Sequence, residues 1–398
     1  MEFRKLRKEE IDRSIEMSEF AFQYELTDEE REERRKWVVP EETLVAAENG
    51  ELFSKVTTMP FHVYIDGRAY SMGGVSGVAT WPEKRRAGLV RTMLAMSLEE
   101  MKRNGQLVSF LHPFSVPFYR KFGWEMFAWK RTVTIPREKL PRRKTASGHV
   151  QRQKNEPAAF ASVYDEWASR YNATMKRTND WWERSIFKRK KGHGAVYING
   201  EGEKRGYIIY SVKEETMKVK ELIYLDADAR KGLWNFISNH DSMIDEVELT
   251  LPGDDSTVLM LDDPDVEQTI TPYFMARIVD VKRFLEMYFS DKSLSAPLFL
   301  HIEDSFCSWN NGTYIIRDNK EGFGSIIDYY GGAESGAACA HPPKRGVSMD
   351  IQTLSAAMLN AHPADLLYEE ERITGSGDDF QSFKSALPKR PACFYDFF

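Results

Sequence analysis

Residues 78–90 read VATWPEKRRAGLV, and they decide how the first third of the chain folds. The alternating apolar run from Gly74 to Thr80 predicts a strand, and Pro82 prevents the ladder pairing from continuing because proline lacks the N–H. After Gly88 the apolar period changes to that of a helix, and Gly105 is suited to stop it. One helical face carries the residues expected to be buried, namely Leu89, Val90, Met93, Leu94, Ser97, Leu98 and Met101.

The loop between this strand and this helix is suited to bind a pyrophosphate. The first N–H groups of a helix have no partner inside the helix, and the helix dipole favours negative charge there. Arg85 and Arg86 add positive charge, and Gly88 allows the backbone to approach a ligand closely. Taken alone, the hexapeptide has a simpler alternative, an arginine-rich helix start that is only solvated.

A second motif follows one element downstream. Residues 106–111 (QLVSFL) predict a short buried strand that runs into residues 112–124, HPFSVPFYRKFGW. Arg85-x-x-Gly88-x-Val90 resembles the R/Q-x-x-G-x-G/A signature of the Gcn5-related N-acetyltransferases (GNAT), although Val90 stands where glycine or alanine is usual. Residues 118–124 resemble the FYxxxGF-type segment of the same family.

One branch of that family is matched more closely. Residues 72–94 (MGGVSGVATWPEKRRAGLVRTML) resemble the enhanced intracellular survival (Eis) acetyltransferases, and residues 275–281 (MARIVDV) and 395–398 (YDFF) are similar to Eis segments as well. The four motifs occur in the right order and span the chain. On these residues the chain is identified as a member of the Eis family.

The resemblance implies an α+β protein of three domains, two GNAT-like acetyltransferase folds followed by a sterol-carrier-protein-like α/β domain. We expect a catalytic GNAT domain at residues 1–150, a degenerate GNAT-like domain at 151–285 and the sterol-carrier-protein-like domain at 286–398. The middle segment repeats the element order of a GNAT fold, but its nearest approach to the pyrophosphate signature is only DARKG at 228–232. The basic run KRKK at 188–191 is expected to be a solvated helix end rather than a nucleic-acid patch.

The resemblance also implies acetyl-coenzyme A (acetyl-CoA) as cosubstrate, without a metal, and assigns roles to individual residues. Tyr119 would be the general acid, and the terminal carboxylate of Phe398 would be the base or an orienting group. Phe22 and Trp37 would line the acceptor pocket. The residues implied for acetyl-CoA are Val78, Ala79 and Thr80 for the acetyl and pantetheine portion, Arg85, Arg86, Gly88 and Leu89 for the pyrophosphate, and Ser115.

The chemistry of acetyl transfer fits these residue types. The amine must lose a proton, the carbonyl must be polarised, and the thiolate leaving group must be protonated. A phenol of pKa about 10 can supply that last proton, and an ionised α-carboxylate can accept or orient the first. The alternatives are a Tyr119 that only packs and a frayed chain end, but residues 393–398 (CFYDFF) are apolar enough to favour a docked tail.

Composition limits the other classes of function. The 398 residues are 42% hydrophobic without an apolar run that could form a membrane span, and residues 1–8 lack the apolar core of a secretion signal. The three cysteines (Cys307, Cys339 and Cys393) form no CxxC pair, and the eight histidines are scattered, so we expect a cytoplasmic protein without a metal site. A formal charge of −6 disfavours nucleic acid as a partner.

The sequence therefore predicts an acetyl-CoA-dependent N-acetyltransferase that acts on small molecules with several amino groups, such as aminoglycosides or polyamines. Two alternatives stay open, a protein-lysine acetyltransferase and a non-catalytic scaffold that binds coenzyme A or a lipid. The family resemblance implies a homo-oligomer, a hexamer, and no membrane partner.

Overall fold

The computed structural model describes residues 1–253, 255–320, 322–331 and 345–398. Cys339 lies outside these residues. The strands are β1 Glu2–Lys5, β2 Thr43–Glu48, β3 Glu51–Ile65, β4 Arg68–Thr80, β5 Val108–Leu111, β6 Glu125–Pro136, β7 His149–Gln153, β8 His193–Ile198, β9 Lys204–Lys213, β10 Thr216–Tyr224, β11 Glu246–Leu251, β12 Glu267–Ile278, β13 Leu298–Glu303, β14 Gly312–Asp318, β15 Ser325–Gly331, β16 Val347–Asp350 and β17 Thr374–Gly375.

The helices alternate with these strands. They are α1 Ile11–Phe22, α2 Asp28–Trp37, α3 Leu89–Arg103, α4 Val116–Arg120, α5 Pro157–Ala168, α6 Asn179–Trp181, a π-helical segment Trp182–Ile186, α7 Phe187–Arg189, α8 Ala227–Ser238, α9 Val281–Tyr288, α10 Ile351–Met358, α11 Ala364–Glu369 and α12 Gly377–Ala386. Within the described part of the chain, none of them combines the length and the apolar character that crossing a membrane requires.

The larger sheet has the order β1-β2-β3-β4-β5-β12-β6-β11-β10-β9-β8-β7. Counted inward from either edge, the first five strands of one half are followed by the last strand of the other half. Strands β6 and β12 pair antiparallel in the middle, β12 also pairs with β5, and β6 also pairs with β11. The two halves are thus related by an approximate twofold axis and exchange their last strands. We call β1–β6 (residues 2–136) the first unit and β7–β12 (residues 149–278) the second unit.

Local sequence signals account for the elements of the first unit. Asn49-Gly50 and Asp66-Gly67 form the two tight hairpin turns that join β2, β3 and β4, and all four residues have positive φ, as a type I′ turn requires. Helix α3 buries the predicted apolar face, with Val90 only half-buried. Strand β4 ends at Thr80, directly before the Trp81-Pro82 pair.

The third domain is a smaller sheet of order β15-β14-β13-β16-β17 with α9–α12 beside it. It joins the first unit where β12 ends. The fully buried guanidinium of Arg277 donates to Asp304 of the third domain at 2.5 Å and to the Phe122 carbonyl of the first unit. The main-chain N–H of Ile278 donates to Ser355 at 2.9 Å. These contacts fix the third domain against the segment that follows α4.

The basic run at 188–191 stands at a helix end, as expected, with Lys188, Arg189 and Lys191 exposed, but it also makes specific contacts. Lys190 is largely buried and pairs with the fully buried Glu221, and Lys188 pairs with Glu33 of α2. The guanidinium of Arg189 lies 4.7 Å from the centre of the Phe397 ring. These partners were not predicted because they come from distant parts of the chain, which local charge patterning does not encode.

Candidate active site

Strands β4 and β5 separate at the point where the first unit should bind its ligand. They pair in parallel over four residues each, ending at Val75 and Leu111. Beyond this point β4 continues to Thr80 along β3, with a bulge around Gly77, whose φ is +58°. The gap leaves main-chain N–H and C=O groups of β4 without a neighbouring strand, and such groups require another partner. Val78, Ala79 and Thr80 border this gap.

The side of β4 that faces away from the gap is held in place by β3. The Ser54 hydroxyl donates to the Ala79 carbonyl at 2.9 Å and lies 2.6 Å from the Thr80 hydroxyl. Ala79 itself is buried. The predicted acetyl and pantetheine segment is therefore a fixed strand edge, and it can offer its main chain rather than its side chains.

The loop between β4 and α3 leaves a helix start open. Arg85, Arg86 and Gly88 are exposed, and Arg86 and Gly88 have φ values of +68° and +77°. Gly88 is the N-cap and supplies no side-chain cap, and a Cβ added to it would meet no atom within 4 Å. The glycine is thus required by its backbone conformation, and the space beside it is free for a ligand. The side chain of Leu89 is buried, so only its N–H can take part.

Tyr119 lies in α4, one short element beyond the gap. Its side chain is 2% exposed and packs edge-on against Phe118, with ring centres 5.1 Å apart. Within the described residues its hydroxyl has no hydrogen-bond partner. Burial raises the pKa of Tyr119 above its ordinary value, so the phenol stays protonated and retains a proton to donate. Ser115 is the N-cap of α4 without a side-chain cap bond.

The C-terminal segment is docked, as its apolar composition predicted, and a buried ion network holds it. Arg177 donates to Asp396 at 3.0 Å and to Glu221 at 2.8 Å, and all three side chains are fully buried. Trp181 adds a hydrogen bond to Asp396 at 2.8 Å. Burial alone would raise the pKa of Glu221, but Arg177 and Lys190 lower it to about 2. Each charge in the network is therefore paired, which is what makes its burial tolerable.

The network positions Phe398 at the end of the β4–β5 ladder. The Phe398 ring packs on Phe61 with centres 5.0 Å apart, and a Cβ on Gly74 would lie 2.8 Å from both rings. Gly74 pairs with Phe110 one step before the strands separate. Glycine at this position therefore makes room for the tail, and it brings the main chain of Phe398 within a side chain's length of the gap.

His112 is a polar group at this gap that the sequence analysis did not assign. It follows β5 directly, and its Nδ1 lies 2.6 Å from the Tyr273 carbonyl oxygen. Because that oxygen only accepts, Nδ1 carries the hydrogen and Nε2 keeps its lone pair. Burial lowers the pKa of His112 below its ordinary value, which favours the neutral ring. The available signal was its position at the carboxyl end of a buried strand.

The two predicted acceptor residues are exposed, and Trp37 lies beside the π-helical segment and α7. Phe22 ends α1 and Trp37 ends α2. The guanidinium of Arg184 and the ammonium of Lys188 lie 5.5 and 5.8 Å from the centre of the Trp37 ring. Two cationic side chains of the protein therefore already lie beside Trp37, where a cationic substrate was expected.

Comparisons with known proteins agree with this geometry. Residues 2–127 and residues 173–278 each match a family model described as an acetyltransferase (GNAT) domain, and residues 281–395 match a sterol carrier protein domain. These matches confirm the predicted fold class, two GNAT folds followed by a sterol-carrier-protein-like domain.

Individual relatives point the same way. The chain is 23% identical to an uncharacterised N-acetyltransferase of Streptomyces avermitilis over 93% of this chain and 91% of that one. It is 26% identical to the N-acetyltransferase Eis of Mycobacterium tuberculosis over 48% of this chain and 50% of that one.

Solved structures extend the similarity to the whole chain. A probable N-acyltransferase of Enterococcus faecalis is 28% identical, with a TM-score of 0.88 over 100% of this chain and 99% of that one. Eis1 of Mycobacterium abscessus shares the fold at 18% identity, with a TM-score of 0.80 over the full length of both chains. With its tandem GNAT domains, its third domain and these relatives, the chain is an N-acetyltransferase of the GNAT type that is similar to the Eis proteins.

Proposed function

We propose that the first unit transfers the acetyl group of acetyl-CoA to a primary amine. The observation that carries this proposal is the open start of α3, where arginine side chains and uncapped N–H groups face free space beside the β4–β5 gap. GNAT enzymes use acetyl-CoA, and these groups suit its pyrophosphate. Arg85, Arg86 and Gly88 would bind the pyrophosphate together with the N–H of Leu89. Val78, Ala79, Thr80 and Ser115 would bind the remainder of the molecule.

Tyr119 is the proposed general acid. As the amine nitrogen forms its bond to the acetyl carbon, the carbon–sulfur bond breaks and the sulfur takes the phenolic proton. The phenol is a weak acid, but the same poorly solvated surroundings that raise its pKa also disfavour a free thiolate. The proton therefore moves between two groups whose anions are both disfavoured by burial.

The base is proposed to be the main-chain carboxylate of Phe398, with the Nε2 lone pair of His112 as a second acceptor at the same gap. The support is that the Phe398 ring and His112 both flank the end of the β4–β5 ladder, and that His112 contacts Phe397 with ring centres 5.0 Å apart. Either group can orient an ammonium before its proton leaves.

The proposed acceptors are small molecules with several amino groups. Glu25, in the segment between α1 and α2, and Asp28, the first residue of α2, are exposed and have no ion-pair partner within the described residues, so they can attract a cation. Phe22 would add an apolar wall. Trp37 contributes less to this proposal, because Arg184 and Lys188 already lie beside its ring.

The second unit is proposed to have a structural role in the reaction. Helix α8 begins only two residues after β10, and the Asp226 carboxylate caps it by accepting from the Ala229 N–H at 2.8 Å. A negative group at this position repels a pyrophosphate. The domain division proposed from the sequence, at residues 150 and 285, assigns all acetyl-CoA contacts to the first unit.

The test is thiol release from acetyl-CoA by the purified full chain, with an aminoglycoside, a polyamine and a lysine peptide as acceptors. We expect turnover with the first two. Arg85→Ala combined with Arg86→Ala should raise the acetyl-CoA KM about tenfold, since charge-assisted hydrogen bonds are lost. Arg230→Ala, on α8 of the second unit, is the matched control and should leave KM unchanged. Coenzyme A binding without turnover on any amine would contradict the proposal.

A further inference from the structure

The second unit contains a cavity of about 660 Å³ that the proposed reaction does not use. It is bounded by β6, β10 and β11 on one side and by the docked tail on the other. His112, Tyr119 and β4 do not line it. It meets the candidate active site at Phe397 and Tyr273, which both contact His112.

The cavity lies at the twofold mate of the β4–β5 gap. Strands β10 and β11 pair in parallel over four residues each, ending at Val219 and Leu249, just as β4 and β5 end at Val75 and Leu111. Strand β10 then has its own register shift, between Val219 and Glu221. The second unit therefore keeps the strand separation that makes a binding gap.

The residues at matching register positions have changed character. Lys218 takes the position of Gly74, and Lys220 takes that of Ser76. Thr250 takes the position of His112, one residue beyond the last pair. Two cations thus stand where the first unit has small residues, and the proton-accepting ring is gone.

The charge around the cavity is strongly unbalanced. Lys130, Arg189, Lys190, Lys218 and Lys220 line it, and among the described residues the one acid in the lining is Glu248, which pairs with Lys218 at 3.2 Å, while Lys190 pairs with Glu221 behind the wall. Within the described residues, Lys130 and Arg189 have no carboxylate partner. Burial and the nearby Arg34 lower the pKa of Arg189.

The remaining wall is apolar. Phe127, Phe394 and Tyr395 lie on it, and Trp129 is an exposed aromatic side chain at its edge. A cationic rim over an aromatic wall is suited to a molecule that has both an anionic group and an apolar body.

We propose that this cavity binds a small organic anion, a carboxylate or phosphate carried on an aliphatic or aromatic body. The anionic group faces Arg189 and Lys130, and the body lies against Trp129 and the docked tail. The ligand is not acetyl-CoA, because the start of α8 is closed by Asp226. The inference rests on the cavity itself and holds whatever amine the first unit acetylates.

The experiment is calorimetric titration of the full chain without acetyl-CoA, so that its result is independent of turnover. Octanoate and phenyl phosphate are the two probes, and they distinguish a carboxylate on an alkyl chain from a phosphate on an aromatic ring. Inorganic phosphate supplies the charge without a body, and octylamine supplies a body with the opposite charge. We expect stoichiometric binding of at least one of the two probes and no binding of inorganic phosphate or octylamine.

Variants locate the site. Arg189→Gln combined with Lys130→Gln should raise the Kd of the bound probe at least tenfold. Lys213→Gln, an exposed charge on β9 outside the cavity, should leave it unchanged. The proposal is overturned if neither probe binds, if inorganic phosphate or octylamine binds as tightly, or if the double variant binds like the wild type.

Discussion

The two GNAT units of this protein have the same strand order but opposite helix starts. In the first unit, residues 81–88 separate β4 from α3 and leave the helix start uncapped, with two exposed arginines. In the second unit only Leu225 and Asp226 separate β10 from α8, and the Asp226 carboxylate occupies the helix start. The start of α3 can attract an anion, whereas the start of α8 is already occupied by the carboxylate of Asp226.

This difference shows that the fold provides the gap between two parallel strands, while the loop before the helix determines what the gap can bind. Both units keep the four-residue parallel pairing and the separation beyond it. Only the first unit adds a buried phenol, in α4, and a histidine at the end of the inner strand. The docked tail crosses from one unit to the other, since Tyr395 donates to the Thr250 carbonyl at 3.3 Å and Phe398 packs on Gly74.

The largest expected effect comes from the acid that only the first unit has. Tyr119→Phe removes one hydroxyl from a buried ring and should lower kcat about 10²–10⁴-fold, the usual contribution of a positioned acid. The acetyl-CoA KM should change little, because the phenol acts on the leaving group in the transition state. Steady-state kinetics with a saturating amine measure both values.

Tyr70→Phe is the matched control for this change. The Tyr70 hydroxyl on β4 is buried and likewise has no hydrogen-bond partner within the described residues, but its ring packs on Phe284 of α9. It should retain full activity. An equal loss in both variants, or a raised KM with unchanged kcat for Tyr119→Phe, would argue against the acid role.

A substitution of Arg177, whose buried ion pairs hold the C-terminal segment, tests whether the second unit supports the first. Arg177→Met leaves the buried Asp396 without its cation and Glu221 with Lys190 alone, and it should lower the free energy of unfolding by about 3–5 kcal/mol. Transfer should fall as well, since the chain end loses its hold beside Gly74. Arg205→Met removes the partner of Asp226 at a partly exposed site and should cost less than about 1 kcal/mol. Urea unfolding of both variants measures the difference.

The same network predicts a dependence on pH. Glu221 has its pKa lowered to about 2 in the folded chain, against 4.5 ordinarily. Its contribution to stability is therefore complete above pH 4.5 and is lost as the pH falls toward 2. In Arg177→Met this pKa rises, so the carboxyl should take up its proton at higher pH. Identical acid-unfolding profiles for the two proteins would contradict the proposed pairing.

Local sequence patterns predicted much of the first unit and little of what joins the units. The Arg85–Gly88 loop and the buried face of α3 follow from signals within about 15 residues, and the tight turns at Asn49 and Asp66 follow from dipeptides. The pairing of Arg177 with Asp396 joins residues 219 positions apart, and His112 meets Tyr273 across 161 positions. Such contacts depend on the exchange of β6 and β12, which no local period encodes.

A comparison of substitutions at Gly88 and Gly202 distinguishes the effect of backbone strain from the effect of lost ligand binding. Gly88 and Gly202 have φ values of +77° and +85°, and a Cβ at either would meet no atom within 4 Å. Gly88→Ala and Gly202→Ala should therefore each cost about 1 kcal/mol in stability, since both force alanine into the left-handed region. Only Gly88→Ala should raise the acetyl-CoA KM, by about tenfold. A KM that rises equally in both would show that the loop conformation is not specific to the donor.

The smallest expected effect concerns His112, whose counterpart in the second unit is Thr250. His112→Gln keeps a donor for the Tyr273 carbonyl but removes the basic nitrogen, and we expect kcat/KM for the amine to fall about three- to tenfold at pH 8. Ionisation of the amine affects both proteins equally, so it cancels in the ratio of the kcat/KM of the variant to that of the wild type.

That ratio has a predicted sign as the pH changes. Burial lowers the pKa of His112 below 6.5, so the ring is neutral at pH 7 and above and gains its second proton only in mildly acidic solution. Protonation removes the Nε2 lone pair from the wild type, and its advantage over His112→Gln should then shrink as the pH falls below 6.5. A ratio that stays constant from pH 8 down to the lowest pH at which the protein remains folded would show that His112 only packs beside Phe397, and the carboxylate of Phe398 would remain as the base that distinguishes the first gap from the second.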